Sequence, residues 1–276
     1  MSQSAAARTR RRTGRPPVAA LGLASLAVGF LLLPLAGVLW RAPWSDLGAE
    51  LASPGVRTTL RLSLVCSLSA TALSIALGVP LAWVLARVEL PGRRLVRALT
   101  LLPMVFPPVV GGVALLLAFG RRGLVGGLLF DWFGVRLPFT TAGAVVAETF
   151  VAMPFLVITA EAAFRSLDRG YEDAARTLGA SRWTVFRRVT LPLARPGLAA
   201  GVALCWARAL GEFGATITFA GNTPGRTQTI PLQVYLLIES GRLESAIALS
   251  LVLLAVSVAV LVGLRDRWLF TGGQSG

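Results

Sequence analysis

An all-α integral membrane protein is the fold class this sequence predicts, on three observations. Its 276 residues are 55% hydrophobic and only 14% charged, with a mean hydropathy of +0.71, whereas soluble domains carry roughly 25% charged residues. Six apolar stretches reach the ~20 residues that a helix needs to cross a bilayer. Polar, arginine-rich connections separate them.

Residues 1–17 form a small, polar tail with Arg8, Arg10, Arg11, Arg12 and Arg15. No small-residue cleavage site clearly follows the next apolar run, so 18–40 reads as a retained first span, kinked at Pro34. Residues 41–57 are a loop. The second span, 58–86, is longer than a bilayer requires and should tilt or project into water. A basic turn ending at Arg97 leads to a third span, 98–119, interrupted by Pro103, Pro107, Pro108, Gly111 and Gly112. Such breaks suit either a pore lining or a kinked packing helix. After a loop at 120–138 come a fourth span, 139–160, containing Glu148 and Pro154, and a polar segment, 161–197. A fifth span covers 198–220. A turn-rich loop at 221–231, a short apolar piece at 232–238 and a sixth span, 243–264, precede the tail 265–276. One transmembrane domain, 18–264, is therefore expected, with no soluble domain left over.

Eighteen arginines fall in the two tails, the turn after the second span and the polar segment, against eight on the other side, seven in connections and Arg61 at the start of the second span; Arg208 lies inside a span. The positive-inside rule then places both termini and the polar segment in the cytoplasm. The formal charge of +14 thus serves topology rather than nucleic-acid binding. Every basic residue is arginine, and histidine is absent. His-based zinc sites and His general bases are excluded, and so is a P-loop, which needs its lysine. An ATP-driven process would require a separate ATPase chain. Cys66 and Cys205, far apart within apolar spans, read as small packing residues rather than a disulfide or metal pair.

Two short amphipathic helices are expected within 161–197. The first, 167–178, carries Ala174, Ala175 and Leu178 on one face and ends where Gly179 offers a left-handed position. Ser181 caps the second, in which Trp183, Val185, Phe186 and Val189 alternate with Arg182, Arg187 and Arg188. Pro192 and Pro196 stop it. Asp173-Ala174-Ala175, then three residues, Gly179, nine residues and Val189-Thr190-Leu191-Pro192 follow a recognisable spacing. It resembles the cytoplasmic loop of bacterial ABC importer permeases, written E-A-A, three residues, G, nine residues, I-x-L-P, with Asp for Glu and Val for Ile. Glu161-Ala162-Ala163 has the letters but no glycine at the required distance. The resemblance implies the type I importer permease fold of six transmembrane helices, whose coupling helix sits in a groove of the ATPase subunit. On it, Asp173, Ala174, Ala175, Gly179, Val189, Leu191 and Pro192 are the candidate coupling residues.

A second stretch, Trp206–Pro231, offers candidates for a translocation path: Arg208, Glu212, Gly214, Thr216, Asn222, Thr227, Gln228 and Thr229. Arg208 and Glu212 are four residues apart on one face. They suit either a structural ion pair or charges lining the path, because ionised groups at membrane depth pair or face a cavity. Gly211 and Gly214 suit close helix packing or a hinge. Asn222, Thr227, Gln228 and Thr229 beside Arg226 suit an entering oxyanion or ordinary turn chemistry. The strings GEFGAT, GN and PGRTQTIP in this stretch resemble the molybdate permease subunits of ABC importers, with sulfate and thiosulfate permeases as near relatives.

That resemblance implies a homodimer in the bacterial inner membrane, among membrane lipid. It also implies two ABC ATPase subunits that bind ATP and magnesium, and a periplasmic or lipid-anchored oxyanion-binding protein. Molybdate would enter by alternating access, with no cofactor, metal or catalytic residue in this chain. A sulfate, thiosulfate or tungstate importer is the main alternative, and a non-transporting assembly factor the remote one.

Overall fold

The computed structural model describes residues 18–269; residues 1–17 and 270–276 of the two expected tails lie outside the described residues. Residues up to Ala42 and those from Pro43 onward form two separate units. The first holds α1 (Val18–Trp40), 23 residues with Pro34 inside and none buried.

The frame of the second unit is α3 (Pro54–Arg87) packed along α7 (Thr141–Ser166), with α10 (Leu191–Leu210) against both. Small residues permit this approach, as they do where membrane helices gain from contact rather than from leaving water. Ala70, Ala152, Leu156, Cys205 and Ala209 form one buried cluster of the three helices. Cys66 and Cys205 are free thiols without exposed surface, in keeping with packing roles.

α3 and α7 end at the same pole, where Arg87 Nη2 of α3 donates to Leu167 O, 3.3 Å away. Between α7 and α10 the chain forms α8 (Arg169–Thr177) and α9 (Arg182–Val185) there. The opposite pole gathers α2 (Leu47–Ala52), α11 (Gly214–Phe219), α12 (Ile230–Glu239) and the start of α13 (Leu243–Leu269). Ser245 Oγ on α13 donates to Glu50 Oε1 on α2 at 3.1 Å, and Ile230 N donates to Ser63 Oγ on α3 at 2.7 Å. α7 starts with Thr140 accepting from Gly143 N at 3.0 Å, a side-chain N-cap.

Among the described residues five helices are long and apolar enough to span a membrane, and a bent pair makes up to six. That pair corrects the third expected span, 98–119. It is α4 (Arg93–Val105) and α5 (Pro108–Phe119), turned by 119°. Pro107 and Pro108 remove two amide donors in succession and drive Phe106 into extended backbone, ψ 135°.

The fifth expected span, 198–220, is corrected too. A continuous helical run from Arg182 ends at Leu210, the chain breaks, and α11 follows separately. Pro192 and Pro196 do not stop the preceding helix. A π-helix at Phe186–Thr190 joins α9 to α10. Pro192 is the second residue of α10, directly after the π-helix, and Pro196 lies further inside that helix; the helical run passes through both. Elsewhere α3 begins at Pro54 and α7 runs on to Ser166. The loops expected at 41–57 and 120–138 contain α2 and α6 (Gly126–Phe133), and the apolar piece 232–238 belongs to α12.

α5 meets α11 through glycine. A Cβ on Gly112 would stand 2.5 Å from Thr218 Cβ, and one on Gly214 2.5 Å from Pro108 Cβ. Gly112→Ala should cost about 1–3 kcal/mol by overpacking and lower the thermal midpoint of the detergent-solubilised protein. Gly127→Ala, whose Cβ would meet only Arg121 O at 3.6 Å, should not. Equal midpoints for the two variants would refute the close approach.

Candidate functional site

The polar segment folds as helix, turn and helix. Asp168 caps α8 by accepting from Gly170 N at 2.8 Å, and the chain leaves the helix through Gly179, whose φ of +84° is left-handed. Gly179 N donates to Arg176 O at 2.9 Å and Ala180 N to Ala175 O at 3.1 Å, so the last carbonyls of α8 are used. Ser181 caps α9, accepting from Thr184 N at 3.2 Å. The expected break is present, although α8 covers 169–177 rather than 167–178.

The hairpin turns some of its apolar side chains outward and keeps Val185 buried. Ala174 is exposed and Leu178 is 88% exposed; Tyr171 and Trp183 stand out beside them. Asp173 is exposed and pairs with Arg176 Nη1 at 2.9 Å. Ala175, Val189, Leu191 and Pro192 are half-buried, and Leu191 packs on the core cluster that includes Ala82, Leu85 and Phe164. Phe186 stacks on Trp183 at 5.7 Å and meets Trp83 of α3 edge-on at 5.6 Å.

What holds the hairpin is a residue the spacing argument passed over. Glu172 is buried and pairs with Arg87 Nη2 at 3.2 Å, the two side chains only 9% and 8% exposed. Thr190 Oγ1 of the π-helix donates to Glu172 Oε1 at 2.9 Å. Arg87 thus joins the ends of α3 and α7 to α8, and Glu172 carries the connection to the start of α10. Its neighbour Asp173 filled the acidic position of the motif and hid it. The burial of Glu172 is set by what α3 brings to that face, and the sequence carried no signal for it. Glu161, set aside for want of a glycine, has its own assignment. It is buried, takes two hydrogen bonds from Arg97, and lies 3.8 Å from Arg93 and 3.7 Å from Arg165.

At the other end of α10, Arg208 Nη2 and Glu212 Oε2 are 2.6 Å apart. Glu212 is 1% exposed, and its Oε1 accepts from Ala215 N at 2.8 Å, so this carboxylate bridges α10 to α11. Arg208 keeps 28% of its side chain exposed. The ion pair is therefore present, and its cationic half stays accessible. Gly214 lies against Pro108.

Thr216, Thr227, Gln228 and Thr229 are buried. Thr227 Oγ1 accepts from Thr223 N at 2.8 Å, and Asn222 Nδ2 donates to Leu232 O at 3.5 Å. Thr216 Oγ1, Asn222 Oδ1, Gln228 Nε2 and Thr229 Oγ1 have no protein hydrogen-bond partner, nor does Glu148 Oε2 on α7. The two groups of candidate residues are not brought together. They occupy opposite ends of α10, a helix of 20 residues, which at 1.5 Å per residue separates them by about 30 Å.

A family model described as "binding-protein-dependent transport system inner membrane component" matches residues 78–270. The molybdenum transport system permease protein ModB of Mycobacterium bovis is 47% identical over 86% of this chain and 89% of its own length. The sulfate transport system permease protein CysT of Escherichia coli is 35% identical, covering 85% and 86% of the two chains. A chain from the crystal structure of a bacterial alginate ABC transporter superposes with a TM-score of 0.72 at 18% identity, over 90% of this chain and 92% of that one; that likeness is one of fold. The apolar helices make this a multi-pass membrane protein, and the chain belongs to the family of binding-protein-dependent transport system inner membrane components.

Proposed function

We propose that this chain is the membrane-spanning subunit of an ATP-driven importer that admits molybdate to the cytoplasm by alternating access. The observation that carries this is 47% identity, over 86% of the chain, to a molybdenum transport permease. Two copies pair, each with an ATPase chain that binds ATP and magnesium, and an oxyanion-binding protein delivers from outside. Eighteen arginines on the hairpin side support a cytoplasmic hairpin and cytoplasmic termini.

Tyr171, Ala174, Leu178 and Trp183 offer the ATPase an apolar contact. The turn at Gly179 sets the angle of that contact. Displacement of the hairpin passes through Glu172 to Arg87 and Thr190, and so to α3 and α10. Asp173, Ala175, Val189, Leu191 and Pro192 shape the same segment. At the far end of α10, Arg208 draws a dianion weakly because Glu212 offsets part of its charge; a deep well would prevent release. Thr216, Asn222, Gln228 and Thr229 have hydrogen-bonding capacity to spare beside it in sequence.

A sulfate reading has one observation in its favour, the 35% identical sulfate permease. Both ions are tetrahedral dianions, so donor chemistry does not separate them. Uptake of labelled molybdate by vesicles carrying the assembled transporter and its binding protein should be blocked by excess tungstate and not by sulfate. Competition by sulfate at comparable concentration would move the assignment to sulfate.

Glu172→Ala leaves Arg87 uncompensated, a loss of about 3–5 kcal/mol for a buried pair. Uptake should fall while ATP hydrolysis by the complex continues; normal uptake would show the hairpin's attachment to be dispensable. Arg208→Ala removes a charge-assisted interaction worth ~1.5–3 kcal/mol, so uptake should drop about tenfold or more with membrane insertion intact. Loss of inserted protein instead would make the pair with Glu212 purely structural.

A further inference from the structure

We propose that a slot between α4 and α7, at the arginine-rich pole, is a binding site for one anionic phospholipid. The slot holds about 310 Å³; its lining has an apolar part, taken as the floor, of Leu85, Leu101, Val157 and Ile158, and a charged part, taken as the rim, of Arg97, Arg165 and Glu161. Floor and rim together suit a molecule with apolar chains and an anionic head.

The rim carries more positive charge than the protein neutralises. Arg93, Arg97 and Arg165 all converge on the single carboxylate of Glu161. Three guanidinium groups against one carboxylate leave two formal positive charges. One carboxylate offers about four acceptor sites to guanidinium groups with five donors each, and Arg93 Nε and Nη2 are shielded from solvent without a hydrogen bond.

α4 adds a second contribution of the same sign. It starts at this place with Gly92 at its N-cap, no side-chain cap and no acidic residue in its first turn, so the positive end of the helix dipole is unopposed. The next turns of α4 expose Leu95, Leu99 and Leu102. The slot therefore opens where α4 passes from basic to apolar surroundings, the level at which a phospholipid places its phosphate. Basic pockets between transmembrane helices take anionic head groups for this reason. Inorganic phosphate would satisfy the rim and leave the apolar floor empty.

The proposal rests on the arginine-rich pole meeting one membrane surface and is independent of the ion transported. The test uses the purified transporter complex, washed in detergent, exposed to phosphatidylglycerol or phosphatidylcholine and read by native mass spectrometry. One phosphatidylglycerol should be retained per copy of this chain, and no phosphatidylcholine. Arg97→Gln and Arg165→Gln should each weaken retention about fivefold, the weight of one basic residue at an anionic surface. Ile158→Trp fills the floor while keeping every arginine, and should abolish retention even if an arginine variant fails to assemble. Arg187→Gln, exposed on the π-helix and outside the slot, should leave lipid retention unchanged. Equal retention of both lipids, retention unaffected by Ile158→Trp, or displacement by inorganic phosphate that itself binds would overturn the proposal. Molybdate uptake by the same preparations reads the transport assignment separately.

Discussion

The buried pair of Arg87 and Glu172 fixes where the polar hairpin sits on the helical frame. A desolvated ion pair gains little net free energy over an apolar contact, but losing one partner is costly. Its value is geometric: the guanidinium fork is planar and has several donors. Here it reaches both Leu167 O and the Glu172 carboxylate, while Thr190 uses the same carboxylate. The ends of α3 and α7, the helix α8 and the π-helix thus share one small polar cluster. The ring contacts of Phe186 with Trp83 and Trp183 hold the neighbouring part of the interface.

The same economy of charge recurs. Glu161, Glu172 and Glu212 are all buried, and each is paired with arginine. Two of these pairings fasten elements at the hairpin pole and the third joins α10 to α11 at the other. Such pairings are expected where ionised groups lie out of water. Glu148, also buried, is not among them: its Oε2 has no hydrogen-bond partner.

The broad architecture was legible because hydropathy and the arginine asymmetry are properties of long segments. The hairpin's break was legible because Gly179 and Ser181 each have a local reason to be there. Proline misled twice, in opposite directions. At Pro107-Pro108 it turned a presumed span by 119°, because two donors were lost together. At Pro192 it did not end a helix: the run passes from the π-helix through it into α10. Glu172 was invisible to a motif that counts letters, since burial depends on what α3 brings to that face. Spacing alone allowed Arg208 and Glu212 to be either a pair or charges lining a path; the structure pairs them, and the second role of Glu212 at Ala215 depends on a break at Gly211–Phe213 that composition does not announce.

The π-helix between Phe186 and Thr190 also sets a rotational phase. An α-helix advances about 100° per residue, and a π-helical turn accommodates one more residue than an α-helical turn. The azimuth of everything downstream on α10 therefore depends on that local widening. Were the segment to tighten into ordinary α-helix, Arg208 would point around the helix axis in a different direction relative to the hairpin. The number of residues between hairpin and ion pair sets most of the span, and the five residues of the π-helix decide which way the far end faces.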